Sequence, residues 1–398
     1  MSETQKHKKP NVPNLRFPGF EREWGKIQLG ALGQIVGGGT PDTRKAEYWN
    51  GNIQWFTPSE VGKEKYVSQS QRQITPLGLN DSSAKLLPPG SVLLSSRATV
   101  GECSLNLMEC CTNQGFQSFI PFREYVDGEF LYYLLQTHKR DFLRKACGST
   151  FLEISAKQIG NVHTHIPQMD EQLKISSFLS KIDQRIAIQN KVIEQYNSLI
   201  RAIIIRCKSS TTSRKVFLRE ILNERKELNE RGYVICSVSV SKGIINQVEY
   251  LGRSFAAKET AHYHVVHKGD LVYTKSPTGE FPYGIIKQSY LSVPVAVSPL
   301  YGVYEPVDYE TGVYLHHFFC SPQNTKNYLH KLIQKGAKNT INITNQHFLD
   351  NQIRLPKRDN LYAIVAAIED ICAKVELECK MLDLFEQQRL YFLSKMFI

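Results

Sequence analysis

The sequence predicts an α/β protein in which two α+β globules alternate with two long antiparallel coiled-coil helices, one plan repeated about an internal pseudo-twofold. Three observations predict it. Two separate stretches carry heptad seams, strand and helix landmarks recur at a nearly constant offset, and the net positive surplus lies in the segments outside the seams.

The first globule spans 1–168. Its central signal is "GSVLLSSRATVG" (Gly90 to Gly101), an apolar strand that ends in hydroxyls and one arginine before a glycine. The first helix spans 169–210. Ile175, Leu179, Ile182, Ile186, Gln189, Ile193, Tyr196, Ile200, Ile203 and Cys207 alternate spacings of four and three, a heptad seam with one polar break. The second globule, 211–358, repeats the strand-turn unit as "GDLVYTKSPTGE" (Gly269 to Glu280).

The second helix spans 359–398. Adding 189 to the first seam gives Ile364, Ile368, Ile371, Val375, Glu378, Leu382, Phe385, Arg389, Phe392 and Met396, so the polar break at Glu378 falls where Gln189 did. A heptad helix of about 35 residues is about 50 Å long and exposes its seam unless paired. The two therefore pair with each other, antiparallel if the chain is to return. "ISAKQIGNVHTHIP" (154–167) and "ITNQHFLDNQIRLP" (343–356) share the offset of 189, whereas the strand-turn units pair at 179 because loops differ in length.

A chain of 398 residues with 41% hydrophobic content is long enough for two or three domains. It has no apolar run of about 18 residues, and "MSETQKHKKPNVP" lacks a signal-peptide core. A cytoplasmic protein with no membrane partner is expected. Nine cysteines without a CxxC pair read as reduced thiols. The net charge is +11. Residues 1–168 hold 19 Lys+Arg against 15 Asp+Glu and 211–358 hold 19 against 12, while the two helix stretches together hold 11 of each sign. The surplus of both globules suits a polyanion.

Catalytic signatures are missing. There is no glycine-rich cofactor turn, no Asn/Asp-Pro-Pro-aromatic element and no GxxxxGK[ST] loop, which argues against a methyltransferase or an ATPase. "PDTRK" (41–45) reads as a turn. His262, His264 and His267 read as packing or surface histidines, and no metal site is assigned; Cys372 and Cys379 read as helix packing.

The remaining candidates are hydroxyl, amide and basic side chains at strand ends, the residue types that hydrogen-bond phosphates and base edges. In the first globule they are Ser95, Ser96, Arg97 and Thr99, then Asn113 and Gln114, then Lys145, Ser149 and Thr150. The second globule offers Thr274, Lys275, Ser276 and Thr278, then Lys335, Lys338, Asn339 and Thr340. Solvated turns use the same residues for their own backbone, so it is the recurrence that points to binding.

Over essentially its whole length the chain resembles the specificity subunits of type I restriction-modification systems. The resemblance rests on "GGGTPDTRKAEYWNGNIQWFTPSEVG" (37–62), on both strand-turn units, on "GSTFLEISAKQIGNVHTHIPQMDEQLKI" (148–175) and on the second-half run ending "IRLP". The second half departs from the pattern: it lacks the first of these stretches and a counterpart of Glu171 and Gln172. The resemblance implies two target-recognition domains held apart by the helices, each reading half of a split, asymmetric sequence in double-stranded DNA. It also implies a non-catalytic chain that binds no cofactor. Two modification subunits would bring S-adenosylmethionine, and restriction subunits would bring ATP and magnesium. A DNA binder without such partners, or a coiled-coil scaffold that binds protein, are the other readings.

Overall fold

The structure, a computed structural model, describes residues 11–148, 152–211, 213–247, 259–335 and 341–398. Two compact units divide the chain: Met1–Asn190 with Met381–Ile398, and Lys191–Lys380. Each unit therefore combines one globule with one end of each long helix.

In the first unit a five-stranded sheet runs in the order Gly33–Gly37, Gln117–Pro121, Val92–Leu94, Cys103–Asn106, Tyr66–Val67. Val92, Leu93 and Leu94 are fully buried, as expected of a short apolar run in mid-sheet. A three-stranded sheet of Arg72–Ile74, Trp49–Phe56 and Cys110–Thr112 adjoins it. The helix Gly128–Thr137 starts where Asp127 accepts the Phe130 N–H at 2.9 Å, and its run Phe130 to Leu135 is buried throughout. Phe130 and Trp24 also meet Phe397, from the last turn of the chain.

The start of the first long helix, Met169–Ser209, enters this core through Ile175, Leu179 and Ile182. Gln172 accepts the Asp127 N–H at 3.0 Å and donates to the carbonyls of Tyr125 and Pro167, tying the helix start to the cap of Gly128–Thr137. Glu171 is 2% exposed and takes both prongs of Arg16 at 2.7 and 2.8 Å. About three turns further on, Asp183 accepts from Tyr133 Oη and Arg389 Nε, both at 2.5 Å. Arg389, a polar position within the second heptad run, thus forms a part-buried ion pair.

The second unit is built on an antiparallel four-stranded sheet, Leu222–Glu224, Gly302–Pro306, Leu271–Tyr273, Ile286–Gln288. Phe348 stacks between Tyr273 and Tyr304, with both centroid separations 4.8 Å. Helix Tyr309–Phe319, capped by Asp308, covers this core. Ile200 and Ile204 from the end of the first long helix share that core with Leu361, Val365, Ile368 and Ile371 from the start of the second, Arg358–Met396. The expected seam residues Ile364 and Val375 are only partly buried here, because Leu361 and Val365 turn the face by a residue toward the sheet. Ile186, Ile193 and Leu382 lie partly buried along the helices.

No disulfide joins the cysteines among the described residues. Cys103, Cys110, Cys111, Cys207 and Cys236 are buried, whereas Cys147 and Cys379 are exposed. Among the described residues no helix is long and apolar enough to cross a membrane.

Candidate nucleic-acid interface

In the first unit four strands deliver their ends to one place. Gly39 N–H bonds the Thr112 carbonyl at 2.9 Å, Asn113 N–H bonds Phe56, and Ser96 N–H bonds Gly115, so the turns after Gly33–Gly37, Trp49–Phe56, Val92–Leu94 and Cys110–Thr112 are stitched together. Glycine is required at position 38, where a Cβ would lie 2.0 Å from the Asn113 carbonyl oxygen. Behind the turns, Trp55 Nε1 donates to the Gly39 carbonyl at 2.9 Å and packs edge-on against Trp49, over whose ring the exposed Arg72 guanidinium lies at 3.5 Å. The "GGGT" and "YWNGNIQW" runs are thus the rigid base of the cluster.

Ser95 and Ser96 are fully buried. Ser95 Oγ donates to the Arg97 carbonyl at 3.0 Å, and Ser96 passes the backbone ladder on by accepting from Ile154 N–H. These two residues hold the tip, and the residues beyond them present it. Ala98, with φ of 64°, turns the chain left-handed between Arg97 and Thr99. Thr99 is exposed and bonds Ser95 Oγ at 3.0 Å. Gln114 is exposed and bonds Thr40 Oγ1, while Asn113 Oδ1 is spent on the Gly115 N–H.

Arg97 is half-exposed, and its guanidinium is held by Glu153 at 2.6 and 3.1 Å. Glu153 comes from a segment that bridges both Arg97 and Cys147, which sets the exposed Lys145 two residues from the same ladder. Ser149 and Thr150 lie outside the described residues. The structure therefore brings together Arg97, Thr99, Asn113 and Gln114, with Lys145 at the end of the helix Lys139–Lys145 nearby. It adds Thr40, Glu153 and Arg72, which sequence reading passed over.

The second unit carries its tip on a hairpin. Thr274 is buried and its N–H bonds the Ile285 carbonyl at 2.9 Å. Gly284, with φ of 98°, lets the return strand pass so close that a Cβ would meet the Thr274 carbonyl. Ser276 and Thr278 are exposed at the turn, closed by the Thr278–Phe281 bridge. Lys275 is half-buried, and burial lowers its ammonium pKa, opposed by the negative charge of Glu224. Lys335 sits on the short strand Gln334–Lys335, paired with Ile341–Asn342. Lys338, Asn339 and Thr340 lie outside the described residues.

The histidines of "HYHVVH" go separate ways. His264 Nδ1 meets the Tyr301 carbonyl at 3.1 Å and His267 Nε2 meets Glu227 at 2.7 Å.

Residues 21–197 match the type I restriction modification DNA specificity domain. The type I restriction enzyme MjaIX specificity subunit of Methanocaldococcus jannaschii is 34% identical over 181 residues, covering 44% of this chain and 42% of that protein. The EcoR124I/EcoR124II specificity subunit of Escherichia coli is 29% identical over 204 residues, 47% and 50% of the two chains. The match thus spans about half the length of these relatives. In fold, the chain is similar to the S subunit of a type I restriction-modification system from M. genitalium, with TM-score 0.55, 15% identity, and 97% of this chain and 99% of that one covered. A chain of a type I R-M system solved for its complex assembly and conformational transition gives TM-score 0.54 at 14% identity, covering 96% and 98%. Through residues 21–197 the chain is thus similar to the type I restriction modification DNA specificity domain and to about half the length of these specificity subunits.

Proposed function

We propose that the chain is the DNA-reading subunit of a type I restriction-modification complex, with target-recognition domains at 1–168 and 211–358 and spacer helices at 169–210 and 359–398. Each domain reads one half of a bipartite, asymmetric target. The observation that carries this reading is the delivery of Arg97, Thr99 and Gln114 to one cluster of strand ends, within the stretch that matches the specificity domain. Strand ends on a rigid sheet hold side chains at fixed positions, as base-edge readout requires.

Matched landmarks support the internal repeat. The ladders Gly25–Gln28 with His163–Ile166 and Arg214–Phe217 with Gln352–Leu355 differ by 189 at every paired residue, and so do the short helices Ala156–Gly160 and Asn345–Phe348 at their first residues. Val92–Leu94 and Leu271–Tyr273 differ by 179. The antiparallel helix pair is supported within each unit, since the start of one long helix shares a core with the end of the other.

On this reading the chain does no chemistry and holds no cofactor. Two modification subunits supply S-adenosylmethionine-dependent adenine methylation, and restriction subunits supply ATP- and magnesium-dependent translocation and cleavage. Co-expression with a modification subunit, followed by mapping of methylated adenines across a random-sequence library, tests it. A two-part motif with a fixed unread gap is the expected result. A motif of one half would remove the second domain from the reading, and methylation without any motif would remove both.

A further inference from the structure

The second unit contains a groove of about 600 Å³ whose lining includes none of its tip residues. It is walled by the end of the first long helix, the Arg214–Phe217 and Gln352–Leu355 ladder, and the helix Pro322–His330. Five cations line it: Lys208, Lys215, Lys326, Lys331 and Arg354. No carboxylate joins them among the described residues.

None of the five forms an ion pair among the described residues, although the neighbouring arginines of this unit do. Arg219 pairs with Asp350, and Arg225 with Asp270 and Glu305. Two of the cations are held in place by neutral groups: Lys208 Nζ donates to Asn324 Oδ1 at 3.0 Å and Arg354 Nη1 to the Ser210 carbonyl at 3.2 Å. Like charges gathered in one concavity repel one another and focus a positive potential outward, an arrangement that an anion relieves.

The geometry points to a track for the backbone phosphates of duplex DNA beside the half-site read by this unit. The inference rests on the DNA reading proposed above. Two features favour phosphodiester over an acidic polypeptide. The remaining lining is rich in amides, with Asn324, Asn327, Asn351 and Gln352, which suit phosphate oxygens better than the apolar anchors of a protein partner. The groove also joins the tip: His330 on its wall bonds Tyr283 Oη at 3.2 Å, and Tyr283 closes the hairpin by accepting from Tyr273 Oη. DNA seated on the tip hairpin has its backbone directed toward these cations.

The full chain tests this, with Lys326→Gln/Lys331→Gln and, independently, Lys208→Gln/Lys215→Gln, all four positions being exposed. Binding of a duplex carrying the methylation-defined target, and of a scrambled duplex, is measured by fluorescence anisotropy across a salt series. Each double variant should bind both duplexes about ten- to thirtyfold more weakly near 0.15 M salt, lower the magnitude of the log K against log salt slope by about two, and leave the preferred motif unchanged. A wild-type slope in both variants, or a changed motif, overturns the groove while the DNA reading stands. Wild-type DNA affinity with lost assembly onto a modification subunit also overturns it, in favour of a protein partner. A wild-type chain that binds neither duplex overturns both.

Discussion

Both units bury an apolar stretch of the long helices, Ile175, Leu179 and Ile182 in the first, but they fix the helix starts with different chemistry. In the first, the helix start is clamped by polar groups: Glu171 to Arg16, Gln172 to the Asp127 cap, and Asp183 to Arg389 and Tyr133. In the second, the residue at the matching position of the second helix is Leu361, and it packs with Val365, Ile368, Ile200 and Ile204. A part-buried polar clamp is directional and fails when one member is lost, whereas an apolar seam tolerates exchange of volume. The tips differ as well. Arg97 is neutralised by Glu153, and Lys275 has no ion-pair partner among the described residues.

Removing one side of the clamp should break the comparison most sharply. Arg389→Ala leaves Asp183 part-buried without a cation, held by Tyr133 alone, and should cost the first unit about 2–4 kcal/mol, seen as lost hydrogen-exchange protection in Gly128–Thr137 with the second unit's protection unchanged. The mirror experiment is Ile368→Ala, at a fully buried site, which should cost the second unit about 2–4 kcal/mol with the exchange pattern reversed.

Acid should separate the units too. His316 and His317 have pKa values lowered mainly by burial, that of His317 to about 4, and His316 Nδ1 already accepts the Gln288 N–H. The unfolded chain takes up these protons below about pH 6.5 while the folded unit resists. The second unit should therefore lose up to about 1.4 kcal/mol per histidine per pH unit as pH falls from 6.5 toward 4. Thermal melts at pH 7 and 5 check this, and His316→Gln/His317→Gln should flatten the loss.

Smaller effects belong to the tips. Arg97→Ala should relax only one half of the methylation motif, by about 1–3 kcal/mol of discrimination. Glu153→Gln frees Arg97 from its partner and should raise affinity for any duplex a few-fold, measured as in the salt series, with a gain that shrinks at high salt.

The heptad spacing made the long helices legible, since 169–210 and 359–398 stand against the observed Met169–Ser209 and Arg358–Met396. The tip strands were legible for a similar reason: an apolar run between glycines becomes the buried strand Val92–Leu94. Side-chain partners were not. Arg97 and Glu153 are 56 residues apart, and pairing at that distance leaves no local signal. Ser95 and Ser96 look like surface hydroxyls in sequence, yet the ladders on both sides bury them. The basic groove gathers Lys208, Lys215, Lys326 and Arg354 from separated segments, each unremarkable alone.

The Arg97–Glu153 pair also sets a timescale. On the proposed DNA-reading role, the chain would spend most of its life on wrong sequences, held there by phosphates that every site offers alike. An arginine already satisfied by its own carboxylate adds little to that indiscriminate grip, and exchanges partners profitably only where a base edge or a well-placed phosphate competes with Glu153. The cost is a weaker complex at the right site, and the return is a shorter dwell at all the others.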